Sequence, residues 1–174
     1  ATGLKTAVVT RPVMMFDGTD DYIQLPTEAA GTYTALTGKR TVVSAFRIWH
    51  ATANFQTLIS EWVTANQGDF LGLHTDGSLH ARVGNSAGTY SERSIAGSLA
   101  GTGWRVAALV IDNGTMAIYL DGAGLTGSVA LPSGTIPHTS PRTGVTPSGN
   151  YQLNGEATAT AIFDGEALGR ESLD

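Results

Sequence analysis

The chain has 174 residues, a length that suits one domain built around a single hydrophobic core. Its net charge is −5, and two lysines and eight scattered arginines form no basic stripe, which argues against a nucleic-acid partner. There is no cysteine, which excludes a disulfide framework, a thiolate metal site and a cysteine nucleophile. The longest purely apolar run, Val106–Ile111, is much shorter than the ~20 residues that span a bilayer. We therefore predict a single domain over residues 1–174 without a membrane-inserted segment.

The composition favours short strands joined by many turns. Charged residues make up 14% of the chain, and there are 22 glycines. Segments that alternate apolar and polar residues, with turn residues between them, predict an all-β, antiparallel fold. In chain order the predicted strands are Ala7–Phe16, Asp21–Leu25, Thr41–Trp49, Gln56–Trp62, Phe70–His74, Ser78–Val83, Ser91–Ile95, Trp104–Ile111, Thr115–Asp121, Thr126–Leu131 and Gln152–Phe163.

The first predicted turn carries the densest group of carboxylates, Asp17, Asp20 and Asp21. Three acidic side chains within five positions could supply oxygen ligands to calcium, with backbone carbonyls completing the shell. Aspartate also favours turns, because its side chain accepts hydrogen bonds from nearby backbone N–H groups. Both interpretations are open, and we treat the three aspartates as the candidate metal ligands.

Two further turns make sharper predictions. Treating Asn113-Gly114 as a two-residue type I′ turn aligns the flanking strands so that one apolar set shares a core face: Leu109, Ile111, Met116, Ile118 and Leu120. The other face, with Trp104 and Tyr119 among small apolar residues, is expected to be partly covered or to bind a partner. A two-residue turn at Asp76-Gly77 would send His74 and His80 to opposite faces, which argues against a shared metal ion.

Three motifs and the C-terminal segment carry a resemblance to a known family. Residues 16–23 are similar to the opening "FDG-x-DDY-hydrophobic" signature of the laminin-G-like jelly-roll domains in the concanavalin A-like lectin and glucanase superfamily. Residues 43–46 are similar to the next strand of that family, with Phe46 in place of tryptophan, and residues 104–122 resemble its "W-x-x-V-A … G-T-x-x-x-Y-x-D-G" hairpin. Residues 153–168 resemble its closing strand, except that the usual acidic pair is Thr158 and Ala159.

The resemblance implies a two-sheet antiparallel jelly-roll sandwich whose rim loops often hold calcium and a glycan or protein ligand. It also implies an extracellular, cell-surface or virion location. Fold alone does not establish function, so each candidate site is weighed by its own chemistry.

The sequence argues against catalysis. The segment Gly84–Gly88 matches the G-x-S-x-G pattern around a hydrolase nucleophile, but a strand-like segment follows where that motif requires a helix. The six glutamates never show the E-x-D-x-E spacing that places two carboxylates close together on one strand. We therefore predict that the chain is not an enzyme.

The aromatic residues divide into core and surface candidates. We expect Trp104 and Phe46 to lie in the core. Trp62 and Tyr90 lie near charged residues in the sequence and are better candidates for a ligand-facing surface, together with Arg82 and Arg93. The site would lie on rim loops near Asp17–Asp21, Trp62–Phe70 and Asn85–Arg93.

The sequence thus predicts a non-catalytic recognition module for a glycan or cell-surface protein, assisted by calcium. A second function of a different class remains open, namely a structural domain of a virion or secreted assembly that contacts neighbouring subunits. Small side chains in Glu156–Ala161 would permit close docking in that case.

Overall fold

Fifteen β-strands make up the computed structural model, which describes residues 13–25, 32–34, 37–62, 66–124, 127–137, 141–164 and 167–168. The first eight are β1 (Met14–Asp17), β2 (Ile23–Gln24), β3 (Thr32–Thr34), β4 (Lys39–Ile48), β5 (Gln56–Ser60), β6 (Gly68–Leu73), β7 (Leu79–Gly84) and β8 (Tyr90–Ile95). The others are β9 (Arg105–Asp112), β10 (Thr115–Leu120), β11 (Ala123–Gly124), β12 (Val129–Ala130), β13 (Thr135–Pro137), β14 (Arg142–Thr143) and β15 (Asn154–Asp164).

The strands form two large antiparallel sheets and one small one. A seven-stranded sheet has the order β1-β15-β4-β9-β10-β11, with β12 also paired to β10. A six-stranded sheet has the order β2-β14-β5-β6-β7-β8, and β13 pairs with β3. The prediction of an all-β, two-sheet antiparallel sandwich is confirmed. Across the part of the chain that the structure describes, no helix is long and apolar enough to cross a membrane.

The core lies between the two large sheets, and strand alternation explains which residues enter it. In β7, Leu79, Ala81 and Val83 are buried while the residues between them face outward. The hairpin at Asn113-Gly114 pairs Thr115 with Asp112, the register that the sequence predicts. Its predicted core residues are buried or packed against the core: Leu109, Ile111, Met116, Ile118 and Leu120. Phe46 is fully buried, as expected.

The strand predictions differ from the structure mainly in short strands. Residues 7–12 of the first predicted strand lie outside the described residues, and the remainder begins at Met14. Four strands of only two or three residues were not predicted: β3, β11, β13 and β14. Such strands are too short to show alternation, so tertiary pairing alone defines them.

Candidate functional site

The outer face of the six-stranded sheet carries most of the polar and aromatic chemistry. Because side chains alternate along a strand, His80 and Arg82 of β7 point away from the core. The register places Ser94 opposite His80, and Glu92 opposite Arg82. Tyr90, at the start of β8, belongs to the same outward set and is 42% exposed.

Two glycines place no side chain on this face, so an aromatic ring and a loop can lie directly against the backbone. A Cβ atom at Gly72 would collide with the ring of Phe70, which therefore lies flat over β6. A Cβ atom at Gly84 would collide with the carbonyl oxygen of Asn66, so the loop before β6 passes over the end of β7. The absence of a side chain at Gly72 leaves room for the ring of Phe70, which is buried although it occupies an outward-facing position.

Arg82 is held from three sides. Its Nε donates to Glu92 Oε2 at 2.6 Å. Its guanidinium carbon lies 4.4 Å from the ring centre of Phe55 and 5.4 Å from that of Tyr90. We call Phe55, His80, Arg82, Tyr90 and Glu92 the Arg82 cluster. Such stacking and ion pairing fix the plane of the guanidinium.

The two terminal nitrogens of Arg82 are left for an external group. Within the described ranges, its hydrogen bond runs through Nε alone, although the side chain is only 19% exposed. A guanidinium edge with two parallel N–H groups matches a carboxylate bidentately. The arrangement can therefore receive a planar anion at a fixed orientation.

His80 and His74 stack on the same outward face, with ring centres 4.8 Å apart and planes at 23°. The prediction that they lie on opposite faces is wrong, because the turn is longer than two residues. The His74 N–H donates to the Ser78 carbonyl, Gly77 has a positive φ, and Leu73 pairs with Leu79. This longer loop shifts the register by one residue and brings the two imidazoles together.

Hydrogen bonds link the stacked histidines to carboxylates. His80 Nδ1 lies 2.7 Å from Glu92 Oε1, and His80 Nε2 lies 3.1 Å from Ser78 Oγ. Burial holds the pKa of His80 below 6.5, although the bond to Glu92 opposes that change. Burial tends to raise the pKa of Glu92, but Arg82 and His80 together hold it below 4.5. Hydrogen bonds from the Ser78 hydroxyl and N–H hold the pKa of Asp76 at about 2.

Trp62 is buried rather than ligand-facing. It is 7% exposed, and its ring meets Tyr90 edge-on with ring centres 5.9 Å apart. The expectation of an exposed Trp62 is therefore wrong, because Tyr90 covers it. Trp62 supports the position of Tyr90 from beneath, and any ligand would meet the tyrosine first.

Arg93 does not join the Arg82 cluster. It pairs across the sheet with Ala81, a core-facing residue, so its side chain leaves the opposite face of β8 from Glu92. Its Nη2 lies 3.4 Å from the Gly127 carbonyl. Of the four predicted ligand residues, the structure thus brings Arg82 and Tyr90 together on the outer face, with Trp62 below them.

Asp17 is the last residue of β1, and Asp20 and Asp21 lie in the turn between β1 and β2. Asp17 Oδ1 accepts the Thr19 N–H at 2.8 Å, and Asp21 Oδ2 accepts the Asp17 N–H at 3.0 Å. Among the residues that the structure describes, no group of three or more His, Asp or Glu side chains is arranged to hold a metal ion. Calcium binding at the turn stays a prediction.

Trp104 lies on the outer face of the other sheet, where it is 42% exposed. The expectation that it is a core residue is wrong, because it precedes β9 on the outward side and meets Arg47, whose guanidinium carbon is 5.7 Å from its ring centre. Nearby, a surface cleft of about 510 Å³ is lined by Arg47, Ile48, Trp49, His50, Gly101 and Gly103.

The G-x-S-x-G segment is a turn between two strands. Asn85 Oδ1 accepts the N–H groups of Ala87 and Thr89, and the Ser86 hydroxyl lies 3.1 Å from that of Thr135. The described partners of Ser86 thus include no base that would activate a nucleophile.

Sequence reasoning missed Phe55 and Tyr151 as parts of the site. Phe55 contacts Phe70, His74, His80 and Tyr151 with ring centres between 4.8 and 6.0 Å apart. Both residues lie in loops that carry no periodic pattern, and Tyr151 has a positive φ of 61°. The one signal in the sequence for Phe55 was its position as an isolated aromatic residue next to a predicted strand.

Solved structures with a similar fold include several binding modules. The CBM40 of Ruminococcus gnavus IT-sialidase, bound to alpha2,3 sialyllactose, has a TM-score of 0.62 at 14% identity, covering 90% of this chain and 97% of that one. Domains LG4-5 of the mouse laminin alpha1 chain give 0.64 at 16% identity, covering 98% of this chain and 48% of theirs. The binding domain of botulinum neurotoxin serotype D gives 0.66 at 18% identity, covering 90% of this chain and 39% of that one.

A protein-family model matches nearly the whole chain. No curated protein matches the chain. The family model described as the concanavalin A-like lectin/glucanases superfamily matches residues 17–172, a range that includes residues 43–46, 104–122 and 153–168 and all but the first residue of the motif at 16–23. With the two-sheet jelly-roll architecture, this match confirms the resemblance. The chain belongs to the concanavalin A-like lectin/glucanases superfamily.

Proposed function

We propose that the chain is a non-catalytic recognition module that binds a glycan at the Arg82 cluster. The observation that carries the proposal is the fixed guanidinium of Arg82, which lies beside the rings of Phe55 and Tyr90 and, within the described residues, is hydrogen-bonded through Nε alone. A half-exposed tyrosine ring beside a cation suits a saccharide, because the ring can stack on the apolar face of a sugar while the cation receives a polar group.

The proposed ligand class is an acidic saccharide. A sugar carboxylate would meet Arg82 bidentately, and the similar CBM40 structure with bound sialyllactose supports testing sialylated glycans first. Glycans of this class occur outside cells, so the proposal places the module in an extracellular, cell-surface or virion setting. A protein ligand with an exposed carboxylate would use the same chemistry.

Calorimetry with sialyllactose and with lactose tests the proposal. We expect sialyllactose to bind at least tenfold more tightly, because a hydrogen bond to a charged group contributes about 1.5–3 kcal/mol. Arg82→Ala should remove that preference, and Arg82→Lys should restore it only in part, because lysine cannot pair bidentately. Tyr22→Ala is the matched control, since Tyr22 lies just before β2 of the same sheet, is exposed and stacks with a different arginine, Arg142.

Equal affinity for lactose and sialyllactose, or full affinity in Arg82→Ala, would contradict the proposal. Calcium assistance through Asp17, Asp20 and Asp21 is a separate proposal. It predicts that a chelator weakens binding or lowers the melting temperature, because an occupied site stabilises the folded state by mass action. If the chelator changes neither quantity, calcium has no role and glycan binding stands alone.

A role in an assembly is the second candidate function. It rests on a different surface, the outer face of the seven-stranded sheet, which exposes several large apolar side chains.

A further inference from the structure

His74 and His80 stack beside Arg82, and the glycan contact proposed above uses neither ring. Their ring centres lie 4.8 Å apart. The ring of Phe55 meets both imidazoles edge-on, and its centre lies 4.4 Å from the guanidinium carbon of Arg82. We call His74 and His80 the histidine pair. One phenylalanine ring thus packs the histidine pair and the guanidinium of Arg82 into a single group.

Glu92 binds His80 and Arg82 at the same time. Its Oε1 lies 2.7 Å from His80 Nδ1, and its Oε2 accepts the Arg82 Nε–H at 2.6 Å. His80 and Arg82 are alternate residues of β7, so both side chains lie on the outer face of the sheet. A proton gained by the histidine pair therefore changes the charge directly beside the guanidinium group.

Between about pH 7.5 and about pH 5.5, the histidine pair is the part of this group that changes charge. The pKa of Glu92 lies below 4.5 and the pKa of Asp76, beside His74, is about 2, so both carboxylates stay ionised. Arg82 stays protonated throughout. The other neighbours are uncharged, namely the Ser78 hydroxyl and the Phe55 ring. At neutral pH the charges of Arg82 and Glu92 therefore cancel within the Arg82 cluster.

The histidine pair takes up one proton more readily than two. Burial of the ring lowers the pKa of His80, and charge on His74 lowers it further, whereas Glu92 raises it. Two imidazolium rings with centres 4.8 Å apart would repel each other. The first proton changes the Arg82 cluster and its stacked neighbour from a balanced group of charges to a positive one.

We propose that the histidine pair determines how strongly the Arg82 cluster prefers acidic over neutral saccharides, by placing an added positive charge beside Arg82 when pH falls. This inference rests on the glycan function proposed above. A sugar carboxylate bound at the guanidinium is attracted by the added charge, whereas a neutral sugar is not. The carboxylate favours the imidazolium, so affinity is highest when the pair is protonated and falls as pH rises through its titration.

Calorimetry of the full chain with sialyllactose and with lactose, at about pH 7.5 and about pH 5.5, measures this preference. We expect sialyllactose to bind about threefold to tenfold more tightly at the lower pH, which is the attraction of two unit charges about 6 Å apart in a partly solvated site. Lactose affinity should be the same at both. The double variant His74→Phe with His80→Phe keeps two packed rings without a titrating group and should remove the pH effect, with circular dichroism verifying that it folds. His50→Phe is the matched control, because it removes a histidine of the separate cleft at the end of β4 and should keep the pH effect.

NMR titration of the ring protons of the histidine pair gives a second readout that needs no variant. Binding of sialyllactose should raise the pKa of the pair, since linkage is reciprocal, and lactose should leave it unchanged. Equal affinity for sialyllactose and lactose at both pH values would contradict the proposed glycan function, and this inference with it. A preference for sialyllactose that does not change with pH, or a pH effect that survives in the double variant, would overturn the role of the histidine pair alone.

Discussion

Arg40 is a charged residue at a core-facing position, and its neighbours explain how it is tolerated. Its Nη2 lies 2.6 Å from Glu61 Oε2 and its Nε 3.2 Å from Asp69 Oδ2, and all three side chains are nearly inaccessible to solvent. The buried guanidinium neutralises two buried carboxylates, and burial of those carboxylates without a cation would cost several kcal/mol of folding free energy. Removal of one partner should therefore reveal how much the ion pairs contribute to stability.

Arg40→Met should destabilise the fold by about 3–5 kcal/mol, because it leaves two buried carboxylates without their cation. Lys39→Met is the matched control, since Lys39 is the adjacent residue and its ion pair with Asp112 is exposed. That control should cost less than about 1 kcal/mol. Urea denaturation measures both values. Adding Glu61→Gln to Arg40→Met should recover part of the loss, and no recovery would contradict the electrostatic explanation.

His80 shows how one residue links the stability of the fold to pH. Its folded pKa lies below 6.5 because the ring is partly buried, and the facing groups are Glu92, His74, Arg82 and Ser78. The unfolded chain therefore takes up the proton first as pH falls. Stability from the neutral ring is present above pH 6.5 and is lost as pH falls through 6.5 toward the folded pKa.

Glu92→Gln should lower the pKa of His80 further, because the carboxylate is the group that favours the imidazolium. NMR titration of the His80 ring protons measures the change. Glu156→Gln makes the same substitution in an ion pair on the other sheet and should leave the titration unchanged. A rise in the His80 pKa in Glu92→Gln would show that the carboxylate acts in the opposite direction.

At the scale of single residues, sequence reasoning identified Arg82 and Tyr90 but misplaced their neighbours. Trp62, which we expected at the surface, is buried, and Trp104, which we expected in the core, is exposed. A single aromatic residue does not show an alternating pattern that would indicate its face. Arg93 lies one residue from Glu92, and that single step sends it to the opposite face of β8. Residue type indicated the chemistry, while register decided which side chains meet.

At the scale of elements, the two hairpins show when a turn can be read from sequence. Asn113 and Gly114 both have positive φ, as a two-residue type I′ turn requires, and the predicted register is correct. Asp76-Gly77 carries similar residue types, but only Gly77 has a positive φ, within a longer loop. Asp121-Gly122 is again a two-residue turn and leads into β11, which the same rule would have found.

Gly114→Val should destabilise the chain by about 1–2 kcal/mol, because a branched side chain disfavours the left-handed conformation at φ 86°. Asn113→Gly is the matched control in the same turn. It should change stability by no more than about 0.5 kcal/mol, since glycine adopts φ 44° freely but is more flexible when unfolded. Thermal melting compares the two variants. Equal losses in both would count against the turn geometry.

At the scale of the molecule, the fold was more predictable than the site. Long alternating strands such as β4, β9 and β15 are visible in the sequence, and their hydrophobic faces define the sandwich. The site depends on a loop and an aromatic ring that lie over the sheet, and they approach because Gly84 and Gly72 leave room above the strands. A missing side chain permits a contact without specifying which residue will make it.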